Sequence, residues 1–480
     1  MITVIRIITA ILAIVSLSFL LPLAAALYYG EKDMIAPFAL PMVVVLFLSA
    51  IILLVFRGKG KKNLSLRQSY IVVSLSWTIT SIYGAIPLYA SGVIKSIAGA
   101  LFESVSGFTT TGSTVIENID TIPKSINLWR CLEHWLGGMG IVTLTVALLP
   151  LLGVGGFQLI KAETTGPEKG KVTPKIATTA KVLWFIYFGF TIVQTLLLKI
   201  AGMSFFDSLC HSFATLGTGG FSTKSESIGY YNSSAIDAIC TVFMFLAGVN
   251  FSLYFYVFTG KLRELKTNSE LKAYVAICVV ITLLLTLCIK SSYGSFLQAF
   301  RYASFQVSSI ITTTGFATAD YTSWPPCAQF LIFILFFIGG CSGSTGGGIK
   351  VIRWVVLAKQ IGNEIKKTLH PHGVYSLRLN SSPSGKGIII SVASFIFLYL
   401  ALVFVTTFAS CIAGLDLLTS FTASLSMVGN IGPAFSSLSP SYTWLSVPSA
   451  LKLFYCFAML AGRLELYTML IFFFPPFWRN

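Results

Sequence analysis

The chain has 480 residues, of which 55% are hydrophobic, 14% aromatic and only 10% charged. Soluble chains carry about 25% charged residues, so composition alone excludes a soluble globular protein. The formal net charge of +16 does not point to nucleic acid, because the basic residues sit in short linkers between hydrophobic runs.

Stretches of about 20 apolar residues predict roughly ten membrane-spanning helices. Two come first, over 7–29 and 37–56. The first exceeds a signal-peptide core and a second span follows at once, which predicts a retained helix. Four similar units follow, each a spanning helix, a shorter segment and a second spanning helix. The first helices are predicted near 69–92, 182–200, 271–289 and 388–412, and the second near 128–152, 235–260, 327–358 and 448–474. The units divide the chain into two extra N-terminal helices (1–62) and repeats over 63–160, 161–268, 269–366 and 367–480. The segments between paired helices are too short to span, which suits half-helices entering and leaving from one side.

Each half-helix leads into a polar stretch ending in glycine. These are Thr109-Thr110-Thr111-Gly112, Gly217-Thr218-Gly219-Gly220, Thr312-Thr313-Thr314-Gly315 and Gly429-Asn430-Ile431-Gly432. A small residue stands six positions before the last glycine each time: Ser106, Ala214, Ser309 and Ser426. In a chain with 40 glycines one such stretch is an ordinary turn. Four at intervals of roughly one hundred residues predict re-entrant loops around one axis. Glycine permits the positive φ that turns successive carbonyls the same way, and carbonyls can replace a cation's water without holding it as a fixed charge would. The loops contain no Asp or Glu, which argues against a charged-ring, calcium-type filter. The C-terminal ends of the half-helices favour a cation, and Asp207 and Asp416 are expected to cap their starts. The predicted fold is therefore an all-α polytopic membrane protein, with four pseudo-symmetric helix–re-entrant pore loop–helix repeats around a central pore.

Basic residues set the expected topology. Arg57, Lys59, Lys61, Lys62 and Arg67 precede the first repeat, and Lys161, Lys169, Lys171, Lys175 and Lys181 precede the second. Lys261, Arg263, Lys266 and Lys272 precede the third, with Lys359, Lys366, Lys367, Arg378 and Lys386 before the fourth. These linkers and both termini are expected to be cytoplasmic, with the glycine loops outside beside Glu117, Asp120, Glu226 and Asp320. No linker can house a nucleotide-binding domain, so ligand control must arrive on a separate subunit.

Residues 339–348 read Gly-Gly-Cys-Ser-Gly-Ser-Thr-Gly-Gly-Gly. A helix broken in this way leaves backbone groups tolerable only against protein or a wet cavity. The stretch is expected beneath the glycine loops as a movable gate built on Gly339, Gly340, Gly343, Gly346, Gly347 and Gly348, with Lys350 steadying it. A phosphate-binding P-loop is excluded by spacing, because Gly343 and Gly348 are followed by Ile349-Lys350 rather than Lys-Ser/Thr. Arg463 is expected mid-span in the last helix, where a guanidinium costs at least about 2.5–3.5 kcal/mol. It should point into the cavity below the loops, touch the gate and raise a barrier to cations. Asn250, Glu133 and His134 are expected to pack or hydrogen-bond between helices. The nine cysteines show no metal-ligand spacing and are expected to be buried, reduced thiols.

The four first helices, as predicted, hold no Asp or Glu, which favours gated passive conduction over a symporter coupled to protons or sodium. A membrane-embedded enzyme would need a nucleophile–base pair or a metal cluster. Of His134, His211, His370 and His372, only the His370-Pro371-His372 pair has ligand spacing, and it lies in a linker.

Phe102 to Thr114 (FESVSGFTTTGST), His134 to Ile141 (HWLGGMGI), Thr215 to Thr223 (TLGTGGFST), Gly339 to Lys350 (GGCSGSTGGGIK), Asn430 to Pro433 (NIGP) and Gly462 to Glu465 (GRLE) carry a resemblance. Over its whole length, including the two extra N-terminal helices, the chain resembles the Trk/Ktr/HKT superfamily of potassium transporters, in particular its bacterial Trk-type pore-forming membrane subunits. The resemblance implies uptake of K+ through a fourfold pseudosymmetric pore in the bacterial cytoplasmic membrane, driven by membrane potential. It also implies a homodimer in lipid, with a cytosolic nucleotide-binding (NAD, ATP or ADP) regulatory ring of the TrkA type as partner. Any nucleotide would then sit on the partner, with no organic cofactor on this chain. Gly112, Gly220, Gly315 and Gly432 match the family's filter glycines. The implied potassium-binding set is Thr110, Thr111, Gly112, Thr218, Gly219, Gly220, Thr313, Thr314, Gly315, Asn430, Ile431 and Gly432. The second and fourth loops depart from a threonine run, which implies weaker discrimination against sodium than a symmetric filter gives. Gly112, where sodium-transporting plant members carry serine, points to potassium. The same resemblance assigns the 339–348 stretch to gating.

Overall fold

The computed structural model describes residues 1–58, 64–140, 176–380, 382–384, 386–440 and 442–479. The second half of the helix predicted over 128–152 lies outside the described residues. So do Lys59, Lys61, Lys62, Lys161, Lys169, Lys171 and Lys175.

Helices α1 (Ile2–Ser18) and α2 (Leu20–Tyr29) form one span with a break at Phe19. The Phe19 ring is buried there against Phe38, Tyr83 and Trp129, so the break is locked by aromatic packing. Helix α3 (Ile35–Val55) returns beside them.

The first repeat comprises α4 (Leu66–Ala90), α5 (Ile97–Phe108) and α6 (Lys124–Gly138). Ser65 and Gln68 close a reciprocal capping box at the start of α4. The second repeat has α7 (Ile176–Ile200), α8 (Phe205–Leu216) and the pair α9 (Ser234–Ala247) and α10 (Phe251–Phe258). A short α11 (Leu262–Thr267) leads to the third repeat, with α12 (Ser269–Tyr293), α13 (Phe296–Ile311), α14 (Pro326–Leu335) and α15 (Val351–Leu369). An antiparallel hairpin follows, β1 (Leu377–Leu379) and β2 (Ser382–Ser384), with Leu377 opposite Ser384. The fourth repeat has α16 (Lys386–Ile412), α17 (Leu417–Gly429), α18 (Ser449–Arg463) and α19 (Tyr467–Leu470). Six of the described spans, the α1–α2 span among them, are long and apolar enough to cross a membrane, or eight if each bent pair counts as one. The molecule is a multi-pass helical membrane protein.

Two helices predicted as continuous are broken. The span expected over 235–260 bends by 94° between α9 and α10, and that over 448–474 by 118° after α18. At the first bend Asn250 starts a new helix, its side-chain oxygen accepting from Ser252 N at 2.9 Å. At the second, Glu465 and Leu466 take positive φ of 60° and 55°. Hydropathy averages over such local backbone turns. Arg463 consequently stands at a helix end rather than mid-span.

The half-helices α5, α8, α13 and α17 run inward and stop at the glycine loops. Ser96, Ser204 and Asp416 cap the first, second and fourth through side-chain oxygens. The expectation for Asp416 holds, and its hydrogen bond from Thr419 keeps the carboxyl below the ordinary carboxylate range. At the second half-helix Ser204 is the cap instead. Asp207 lies in the first turn, accepting from the hydroxyls of Ser204 and Thr223 at 2.7 and 2.6 Å. The second helix of one repeat packs on the half-helix of the next: α6 on α8, α9 on α13, and α18 on α5. Phe333 of α14 meets Phe421 of α17 with ring centroids 6.2 Å apart, which closes the circle.

Of the nine cysteines, Cys327 and Cys411 are exposed and Cys288 is half-buried, against the expectation that all are buried. They lie on outward, apolar helix faces, where a thiol costs little.

Behind the first glycine loop Glu103 and Arg130 form a fully buried ion pair at 2.7 Å. Glu103 also accepts from Val115 N and the Thr114 hydroxyl, both at 2.8 Å, while Arg130 donates to Asn127 Oδ1 at 3.0 Å. The pair thus ties α5 to α6 and to the segment leaving the loop. Glu103→Ala strands the guanidinium and should destabilise the fold by about 3–5 kcal/mol. A lowered thermal midpoint of the purified, detergent-solubilised protein is the expected readout; an unchanged midpoint would refute it.

Candidate functional site

The four glycine loops share one backbone conformation. Thr110, Thr218, Thr313 and Asn430, at equivalent positions, take left-handed φ of 55°, 54°, 57° and 54°. The following residue donates its N–H five residues back in each repeat: Thr111 to Ser106 O, Gly219 to Ala214 O, Thr314 to Ser309 O and Ile431 to Ser426 O. These bonds span 2.8–3.0 Å. The small residue noted in sequence is thus the acceptor that closes each turn. A left-handed non-glycine residue costs roughly 1–2 kcal/mol, and here the cost recurs four times.

The loops meet in a ring. A methyl group placed on Gly112 would overlap Gly219 O, one on Gly220 would overlap Thr314 O, one on Gly315 would overlap Ile431 O, and one on Gly432 would overlap Thr111 O. Each overlap lies at 2.5 Å or closer. Each terminal glycine therefore abuts the carbonyl of the penultimate residue in the next loop, in cyclic order 1-2-3-4-1. Their φ values of 79–103° also exclude a side chain.

Side chains are less symmetric than backbone. In loops one and three paired hydroxyls meet, Thr109 with Thr111 at 2.8 Å and Thr312 with Thr314 at 2.7 Å. Loop two lacks that pair, and Thr218 donates to Gly217 O instead. In loop four the Asn430 amide donates to Thr111 Oγ1 and Met459 O, both at 3.0 Å. Such a ring of main-chain oxygens can coordinate a dehydrated monovalent cation at the negative ends of four half-helices. Among the described residues no cluster of His, Cys, Asp or Glu could hold a metal ion.

The 339–348 stretch lies directly under the ring. Gly347 N donates to the Thr313 hydroxyl at 2.7 Å, and a methyl on Gly347 would meet Gly429 O at 2.5 Å. Gly346 faces Thr312 O in the same way. The stretch is a folded loop: Gly339 N donates to Ile349 O at 2.8 Å and Val351 N to Gly340 O at 3.2 Å. Gly343 and Gly348 take positive φ. Three further bonds run to the break in the second repeat. Cys341 N donates to Gly248 O at 2.8 Å, Thr345 N to Ala247 O at 3.4 Å, and Phe251 N to Gly343 O at 3.0 Å.

Lys350 is buried and its ammonium bonds Gly346 O from within the loop. Arg463 donates to Thr345 O at 2.7 Å and to Gly137 O and Gly138 O at 2.8 and 3.1 Å. The expected contact with the interrupting loop is present. The guanidinium thereby meets the carbonyls of the last two residues of α6, where a cation complements the helix dipole. Glu133 accepts from Ser104 at 2.7 Å and His134 Nδ1 pairs with Gly107 O at 2.7 Å, so both bind helix to helix as expected.

Sequence reasoning missed three acidic or basic partners. Glu465 pairs with Arg353, whose guanidinium also lies over the Phe395 ring. Glu270 falls just outside the helix predicted over 271–289; α12 begins two residues earlier and includes it, so not every first helix is free of acid. Its position before a long apolar run was the available signal.

The matches to known proteins bear on the family and the fold. The family model for TrkH, a cation transport protein, matches residues 41–479. The "Trk system potassium uptake protein TrkH" of Vibrio parahaemolyticus is 40% identical, covering 100% of this chain and 99% of that one. The protein of the same name in Halomonas elongata is 39% identical, with 99% of each covered. The crystal structure of the potassium transporter TrkH from Vibrio parahaemolyticus superposes with a TM-score of 0.88, at 37% identity over 100% of this chain and 99% of that one. A family match over nearly the whole length, joined to a shared fold, means that the chain belongs to the TrkH family of cation transport proteins.

Proposed function

We propose that this protein takes up K+ through the ring of glycine-loop carbonyls, driven by the membrane potential, and is gated by the 339–348 loop. The cyclic abutment of Gly112, Gly220, Gly315 and Gly432 on neighbouring carbonyls is the observation that carries this reading. It brings oxygens from four distant parts of the chain to one axis without a fixed charge, which lets a cation enter and leave. Relatives named as potassium uptake proteins support the choice of cation. The filter consists of Thr110–Gly112, Thr218–Gly220, Thr313–Gly315 and Asn430–Gly432. The gate consists of the loop glycines with Lys350 and Arg463. A potential of 100 mV supplies about 2.3 kcal/mol per charge, enough for passive accumulation.

The division into two N-terminal helices and four repeats belongs to the same reading. So do a homodimer in the bacterial inner membrane with both termini cytoplasmic, and control by a cytosolic nucleotide-binding ring of the TrkA type. The small linkers and the term "Trk system" in the relatives' names support a separate regulatory subunit.

Gly112→Ser places a side chain on Gly219 O and should displace one oxygen of the ring. The expected loss of preference for potassium over sodium is about tenfold, or 1.4 kcal/mol. Reversal potentials under bi-ionic conditions in reconstituted bilayers measure it, and an unchanged ratio would contradict the proposed filter. Arg463→Ala removes three hydrogen bonds that hold the loop and the end of α6. Potassium flux through reconstituted protein should rise; unchanged flux at normal expression would count against the gate.

A further inference from the structure

Glu270 occupies the first turn of α12 and is buried. A single carboxylate oxygen, Oε1, accepts from Ser342 N at 2.6 Å and from Ile352 N at 3.1 Å. The first donor lies on the incoming limb of the interrupting loop. The second lies in the first turn of α15, where helix N–H groups have no intrahelical partner and favour an anion. One side chain therefore closes the neck of the loop while the loop's tip rests under Thr312 and Thr313.

The start of α12 is itself tied to the small hairpin. Ser269 N donates to Asn380 Oδ1 at 2.9 Å, and Lys359 of α15 donates to Arg378 O at 2.9 Å. Leu377 and Leu379 pack into a cluster with Ile352 and Val356 at the base of α15. The hairpin thus bridges the element that bears Glu270 and the element that Glu270 grips. The hairpin thereby helps to hold the carboxylate in register with its donors.

We propose that Glu270 is a positioning residue that latches the interrupting loop shut, with the start of α12 that carries it held in place by Asn380 of the hairpin. The inference rests on the gate reading above and assigns it a mechanical control point. Two charge-assisted hydrogen bonds are at stake, enough to change the open population by about tenfold or more.

The test is potassium flux through the full-length protein reconstituted without any regulatory subunit, for Glu270→Ala, Glu270→Gln, Asn380→Ala and Arg463→Ala. Glu270→Ala should raise flux about tenfold, Glu270→Gln less because an amide oxygen still accepts, and Asn380→Ala in the same direction. The bi-ionic reversal potential should stay at the parent value in all three, since none touches the carbonyl ring; general loosening of the fold would move it. If folded Glu270→Ala shows parental or lower flux while Arg463→Ala raises it, the latch is overturned and the gate stands. If Arg463→Ala also leaves flux unchanged, the gate reading itself fails. Should Glu270→Ala not fold, parental flux in both Glu270→Gln and Asn380→Ala overturns the latch.

Discussion

A peptide group that loses its helical partner inside a bilayer has no water to turn to, and every distinctive feature of this molecule answers that constraint. The break after α9 leaves the carbonyls of Ala247 and Gly248 open, and the interrupting loop of the third repeat supplies N–H donors to both. At the last turn of α6 the Gly137 and Gly138 carbonyls accept from Arg463 of the fourth repeat. These two sites are thus answered from another repeat. Contact between repeats is therefore a hydrogen-bonding solution as well as a packing one.

The same constraint explains why the glycine loops keep their backbone while their side chains drift. The aim of the main-chain oxygens depends on φ and on the closing N–H bond to a residue five positions back, and both recur in all four repeats. Threonine, glycine and asparagine can all occupy the intermediate positions. The terminal glycines cannot vary in the same way, because a methyl there enters the neighbouring carbonyl. The ring is therefore strict at four positions and lenient at the rest. Asn430 uses that latitude to brace the first loop from the fourth through Thr111.

Charged groups within the apolar body serve as fasteners. Glu103 with Arg130, Asp237 with Arg301, and Arg353 with Glu465 are paired. Arg463, Lys350 and Glu270 bond the backbone at helix ends or within the loop, the places where peptide dipoles favour such charges. Burying a charge is expensive unless it is answered in this way. The cost buys geometric specificity at the neck and tip of one glycine-rich loop.

Composition and apolar run length were enough to determine a multi-pass helical protein, and the spacing of four glycine-terminated stretches was enough to mark the repeats, because both signals are local and periodic. The first helices, the half-helices and the loops fall close to where hydropathy and glycine placed them. The conformation of Glu465 and Leu466, the bend at Gly248 to Asn250 and the partners of Arg463 were not legible in that way. Each depends on groups far away in sequence: Arg353 for Glu465, Cys341 and Thr345 for the bend, Thr345 and Gly137 for Arg463. An apolar window cannot distinguish a continuous span from two short helices whose open ends are filled by another repeat. Only the tertiary structure decided that, since it alone brings the missing hydrogen-bond partners within reach.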